Sequence, residues 1–173
     1  MFPMLNRMCW NSRGWRLPTN TSIDGGYPRE MGFGHEEWNF QIEDAVEGFV
    51  YGYLYYKPAS RIIEVASGHF RIIFWSMHPE SRSQLVVGSY DDATLPSDDD
   101  YHKAYDVFMQ KGIFGRRANE LCVAVPSMSK DRALREVTKA ISEKWLNFKC
   151  RVENVHVLPY YLPLKQVIPN KAV

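Results

Sequence analysis

The chemistry-bearing residues of this chain gather in one stretch, Gly32-Phe33-Gly34-His35-Glu36-Glu37-Trp38-Asn39-Phe40. His35 can donate or accept a hydrogen bond, the two glutamates accept when ionised, and a histidine with a carboxylate can act as an acid–base pair. His35 with Glu36 or Glu37 would suit a hydrolase-type enzyme. Such an enzyme also needs a nucleophile or a metal, and the sequence identifies neither, so no catalytic residue is assigned. The glycines around Phe33 free the backbone to hold its ring outside regular structure, a common way to present an aromatic face to a ligand. The plain structural alternative makes Gly-Phe-Gly a turn, Trp38 and Phe40 core, and the polar residues surface.

Residues 11–34 are rich in Gly, Pro, Ser, Thr and Asn and read as one long loop. A loop of that length in a compact domain is usually functional or disordered. Arg13, Arg16 and Arg29 are interleaved with Trp15 and Tyr27 there, which suits phosphate contact together with base stacking. The expected base-binding set is therefore Trp10, Asn11, Trp15, Phe33, His35, Glu36, Glu37, Trp38 and Tyr53. Trp10, Trp15, Phe33 and Trp38 would converge on one pocket, where stacking retains an extruded base and the polar groups choose it. The expected phosphate-binding set is Arg7, Arg13 and Arg16 with Arg116 and Arg117, two arginines beside glycines in Gly112-Ile113-Phe114-Gly115-Arg116-Arg117. That segment lacks the spacing of a P-loop, and a surface turn is its plain reading.

The run Asn6-Arg7-Met8-Cys9-Trp10-Asn11, followed by Gly32-Phe33-Gly34-His35-Glu36-Glu37-Trp38, resembles the start of a domain that precedes the nuclease in bacterial HNH endonucleases. The resemblance covers about the first third of the chain, up to Gly52-Tyr53-Leu54. It implies a reader of modified DNA in a restriction or defence setting. The paired cysteines and histidines of a zinc-stapled HNH module are missing from this sequence, so only the reader half is implied; cleavage would fall to a separate nuclease subunit. A structural or partner-binding protein of phage or defence origin is the third function class.

Cys9, Cys122 and Cys150 lie far apart, and the five histidines are scattered singly. Neither pattern gives metal-ligand spacing, so no metal or cofactor is expected. Asp98-Asp99-Asp100 precedes a helical pattern, where a helix N-terminus favours acids, and it lacks the spaced ligands of a calcium loop. A formal charge of +1 confines any nucleic-acid affinity to a local patch. No segment reaches membrane-spanning length, and a cytoplasmic location is expected.

The expected architecture is a single α+β domain over residues 1–173, with a curved antiparallel sheet or partly open barrel and two main helices. PUA-like reader barrels share that strand-rich layout. Strands are expected at Met4–Trp10, from Trp38 through Ile42, and at Phe49–Lys57, Arg61–Val65, His69–Met77, Gln84–Tyr90, Leu121–Val125 and Lys149–Leu158. Gly52 should leave a bare spot for a ring or another backbone, and Arg71 in a central strand needs a partner or a surface end. One helix should follow Asp98–Asp100, and the clearest spans Lys130–Leu146 with an apolar stripe through Val137 to Trp145.

Overall fold

The computed structural model describes residues 3–20, 27–54 and 68–167. In chain order its elements are β1 (Pro3–Met8), α1 (Tyr27–Met31), 3₁₀ turns at His35–Trp38 and Ile42–Asp44, β2 (Phe49–Gly52), β3 (Phe70–Met77), β4 (Gln84–Ala93), α2 (Asp98–Gln110), α3 (Ile113–Ala124), α4 (Lys130–Ser142), β5 (Phe148–Arg151), a 3₁₀ turn at Val152–Asn154, β6 (Val155–Pro163) and α5 (Leu164–Val167). The fold is α+β, with a four-stranded mixed sheet in the order β1-β3-β4-β6 and a separate β2-β5 pair. All pairings are antiparallel except that of β1 with β3, which is parallel. Register shifts within the β3–β4 and β4–β6 ladders mark where the strands bulge, which bends a sheet without closing it. The Thr94–Lys149 bridge connects the end of β4 to β5.

Alternation explains why β3 is central. Phe70, Ile72, Phe74 and Ser76 are all buried on one face, and Arg71 on the other reaches the surface, where Nε and Nη2 donate to Asp91 at 2.6 and 2.9 Å. Beneath that face the core needs two bare backbones. A Cβ at Gly52 would lie 2.2 Å from Phe148 Cζ, and one at Gly88 would lie 2.7 Å from Phe40 Cζ. The two rings seated there pack with Phe74 and Tyr90 into the sheet core.

The acids of α2 act as helix-start residues. The Asp100 carboxylate accepts from Ser97 N at 2.8 Å, and Ser97 Oγ accepts from Asp100 N at 3.2 Å, a reciprocal cap. Gly112, at φ +65°, turns the chain directly from α2 into α3. In α4 the buried stripe is Ala133, Val137, Ala140 and Ile141. These helices build a second core with Phe33, Trp38, Phe108 and Leu121. β2 and β5 join the two cores, because Tyr51 packs into the helical one while Val50, Phe148 and Cys150 pack into the sheet one.

Several expected elements differ. Trp38 through Ile42 is not a strand: Glu37 N donates to Gly34 O and Asn39 N to Glu36 O, the i to i+3 pattern of 3₁₀ turns. Leu121–Val125 belongs to the end of α3 and its cap, leaving Val123 76% exposed where a buried strand would have hidden it. There are three long helices among the described residues, not two. The loop at 11–34 contains α1, and the last strand is split into β5 and β6 by the turn at Val152–Asn154. α4 stops at Ser142 because Lys144 takes a positive φ of 57° and reverses the chain. The Arg61–Val65 strand and the end of Phe49–Lys57 fall outside the described residues. No helix among the described residues is long and apolar enough to cross a membrane.

Candidate functional site

The His35–Trp38 turn distributes its side chains among three regions, as expected when each residue advances about 120°. Glu37 points toward the loop that follows β1. Its carboxylate accepts from Asn11 Nδ2 at 2.7 Å, Thr19 N at 2.8 Å, Thr19 Oγ1 at 3.2 Å and Gly34 N at 3.1 Å. Asn11 completes this closed cluster, since its Oδ1 accepts from Arg13 N and Trp15 N and its Nδ2 also donates to Leu17 O. Burial pushes the Glu37 carboxyl up to about 7 against the pull of these donors. Trp38 faces the helices and donates from Nε1 to Glu120 at 2.8 Å.

His35 and Glu36 instead line a cavity of about 680 Å³, walled by Tyr27, Tyr53, Tyr101 and Trp145, with Asp98, Glu143, Lys144 and Asn147 among its polar residues. That volume suits a ligand of nucleoside size. The His35 ring stacks on Tyr27 at 5.5 Å between centroids and meets Trp145 edge-on at 4.9 Å and Phe33 at 5.3 Å. Tyr27 Oη donates to Glu136 Oε2 at 3.1 Å and stands 3.3 Å from His35 Nε2. A phenol has one proton, so a Tyr27 that donates to Glu136 must accept from His35, which assigns the Nε2–H tautomer and leaves Nδ1 an acceptor. Burial, reinforced by the charge of Arg117, lowers the His35 pKa to about 3, so the ring is neutral near pH 7. Burial and the Glu136 carboxylate push the Tyr27 phenol up.

Two asparagines fix the wall formed by Tyr53 and Leu54. Asn39 receives Tyr53 N at 2.8 Å and donates to Tyr53 O at 2.9 Å, while Asn147 makes the matching pair with Leu54 at 2.9 and 2.9 Å. Side-chain amides thus stand in for strand neighbours beyond β2. At the rim, Lys144 donates to Asp98 at 2.6 Å and lies over the Tyr101 ring at 5.8 Å. Tyr101 Oη donates to Leu146 O at 2.8 Å.

Of the expected base-binding residues, only His35, Glu36 and Tyr53 line this cavity. Trp10, Trp15, Phe33 and Trp38 do not converge on one pocket: Phe33 and Trp38 belong to the helical core, Trp15 to the sheet core, and Trp10 packs between Trp15, His78 and Tyr161. Asn11 and Glu37 are turned into their own cluster, and neither Glu36 nor Glu37 hydrogen-bonds to His35, so the expected acid–base pair is not formed. The Gly112–Arg117 segment is the start of a helix, not an open turn. Arg117 is only 4% exposed. It donates from Nε to Asp44 at 2.8 Å and lies over the Trp38 and Phe108 rings. Arg116 pairs with the same Asp44 and with Glu120. Both guanidinium groups are therefore engaged by protein carboxylates. Arg16 lies 3.8 Å from Glu43, and Arg7 sits over Trp75 at 5.7 Å. Arg13 lines a second cavity of about 490 Å³ with Ser12, Pro18 and Arg116.

Tyr27 reads in the sequence as a stacking ring of the loop though not as one of the base-binding set, and the cavity residues missed altogether are Tyr101, Trp145 and Asn147. Tyr101 and Trp145 matched helical core spacing, and only the reversal at Lys144 sends Trp145 to the cavity. Among the described residues no group of three or more His, Cys, Asp or Glu is placed to hold a metal ion. No protein-family model matches the chain, and neither a curated protein nor a solved structure matches it.

Proposed function

We propose that this protein is a nucleic-acid reader that takes a single base, extruded from its stack, into the cavity around His35. The observation that carries the reading is the arrangement of Tyr27, Tyr53, Tyr101 and Trp145 around a neutral histidine and the Glu36 carboxylate, in a space of about 680 Å³. Flat aromatic walls hold a heterocycle by stacking, and the few polar groups orient it. The resemblance of the first third of the chain to readers that precede HNH nucleases supports a restriction or defence setting, with a modified base as the ligand and a separate nuclease as partner.

Phosphate contact falls to other cations than Arg116 and Arg117. α1 and the segment that follows α4 contribute to the cavity lining, and α1 and α4 also carry Arg29 and Arg135, which are exposed and have no ion pair among the described residues. Fluorescence titration of the protein with duplexes containing a modified or mismatched base tests the reading. Trp145→Ala should weaken binding about tenfold or more, since stacking on one base is worth about 1–3 kcal/mol. If neither duplex nor single strand bound the unaltered protein at moderate salt, the reader function would be excluded.

A further inference from the structure

Several donors around the cavity are already committed to the protein. Tyr101 Oη donates to Leu146 O, Tyr27 Oη to Glu136, and the His35 Nε2–H to Tyr27. Asn147 spends both ends of its amide on Leu54, and the Lys144 ammonium is held by Asp98. The acceptors are not used up in the same way. His35 Nδ1 has no hydrogen-bond partner among the described residues, and Glu36 accepts Cys9 N on Oε1 alone, at 3.3 Å. Glu143, exposed on the rim, has no ion pair among the described residues. An ionised carboxylate has about four lone-pair sites, so Glu36 retains most of its accepting capacity. The lining also carries more acid than base, because Lys144 is offset by Asp98 while Glu36 and Glu143 have no cationic partner there.

We propose that the cavity selects bases by an amino edge, the exocyclic amine of a cytosine or adenine class base meeting the Glu36 carboxylate and His35 Nδ1, and that it discriminates against thymine and uracil. The amine supplies N–H donors to the two acceptors, Glu36 and His35 Nδ1, whose capacity the described residues leave unused. A keto edge would set lone pairs against lone pairs and leave them desolvated. The inference rests on the reader function and narrows its ligand. A modification on the ring carbons of cytosine or on the amine of adenine still leaves an N–H to donate.

The test is titration of the protein with one duplex series in which the central nucleotide, opposite a mismatch that eases extrusion, is cytosine, adenine, thymine or uracil. Cytosine or adenine should bind about tenfold tighter than thymine or uracil, the discrimination one good polar pair provides. Glu36→Gln, which replaces one acceptor oxygen by a donor, should bring that ratio toward unity, and the exposed Glu143→Gln should lower it less without touching the core. Equal or tighter binding of thymine and uracil would overturn the inference while leaving the reader function standing. Loss of all binding across the series would overturn both. If Glu36→Gln fails to fold, an unchanged ratio in Glu143→Gln combined with equal binding of all four bases by the unaltered protein still decides against it.

Discussion

Glu36 and Glu37 are adjacent, both acidic and both buried, yet one serves a cavity and the other a closed cluster. Glu37 meets donors from Asn11, Thr19 and Gly34, while among the described residues Glu36 meets only Cys9 N. The Asp44–Arg116–Arg117 group resembles the Glu37 side: its charges are answered by protein partners and by the Trp38 and Phe108 rings. Polar residues whose partners are all internal hold segments together, and those whose capacity is left over are the ones available to a ligand.

The largest effect expected from breaking this contrast belongs to Asp44→Ala, which strands the buried Arg117 guanidinium in the interior and should cost about 3–5 kcal/mol in urea unfolding. A loss below about 1 kcal/mol would mean that Arg117 is not held by a closed cluster. Next comes Glu37→Ala, which leaves the Asn11, Thr19 and Gly34 donors unanswered and should cost about 2–3 kcal/mol, against about 1 kcal/mol or less for Glu36→Ala. In base binding the order should reverse, and equal effects in both assays would erase the distinction.

A third difference appears as pH dependence. The Glu37 pKa is raised from 4.5 to about 7 on folding, so the folded state holds more protons and stability falls as pH rises through that window. His35 is lowered from 6.5 to about 3, so its contribution is full above 6.5 and is lost as pH falls toward 3. The two oppose each other where they overlap, and the wild type should be nearly flat between 4.5 and 6.5. Thermal unfolding of Glu37→Gln should then show stability rising with pH there, and His35→Gln should show it falling, each by at most about 1.4 kcal/mol per pH unit. Parallel profiles in the two variants would contradict the opposed shifts. The smallest effect is expected for Tyr27→Phe, about 1 kcal/mol, because only the hydroxyl between His35 and Glu136 is lost. A full loss of folding would show that the ring position itself depends on that hydroxyl.

Much of the fold was legible where one pattern dominated. The period-2 burial of β3, the cap at Ser97–Asp100 and the stripe of α4 are all local signals, and Gly52 does receive a ring. Short apolar runs were not: Leu121–Val125 fits a strand or a helix end equally, and Trp38 with Phe40 and Ile42 mimics alternation across two 3₁₀ turns. The site was legible at His35, Glu36 and Tyr53, and at Tyr27 as a stacking ring, but not at Tyr101 or Trp145, because aromatic type does not reveal whether a ring is filler or wall. Phe33, read as a ring presented to a ligand, lies in the helical core, whereas Trp145, read on a helical core stripe, is sent to the cavity by the reversal at Lys144, which no local residue type announces.

The parallel pairing of β1 with β3 also sets an order of events. Ser76 Oγ donates to Met8 O across 68 residues, so the first strand to be synthesised waits for a partner made much later. Closing so long a segment is entropically costly and slow. Tyr27, His35, Glu36 and Tyr53 all lie inside the closed segment while Tyr101, Trp145 and Asn147 follow it, so the cavity takes its walls from both sides of that closure and is complete only when both have docked.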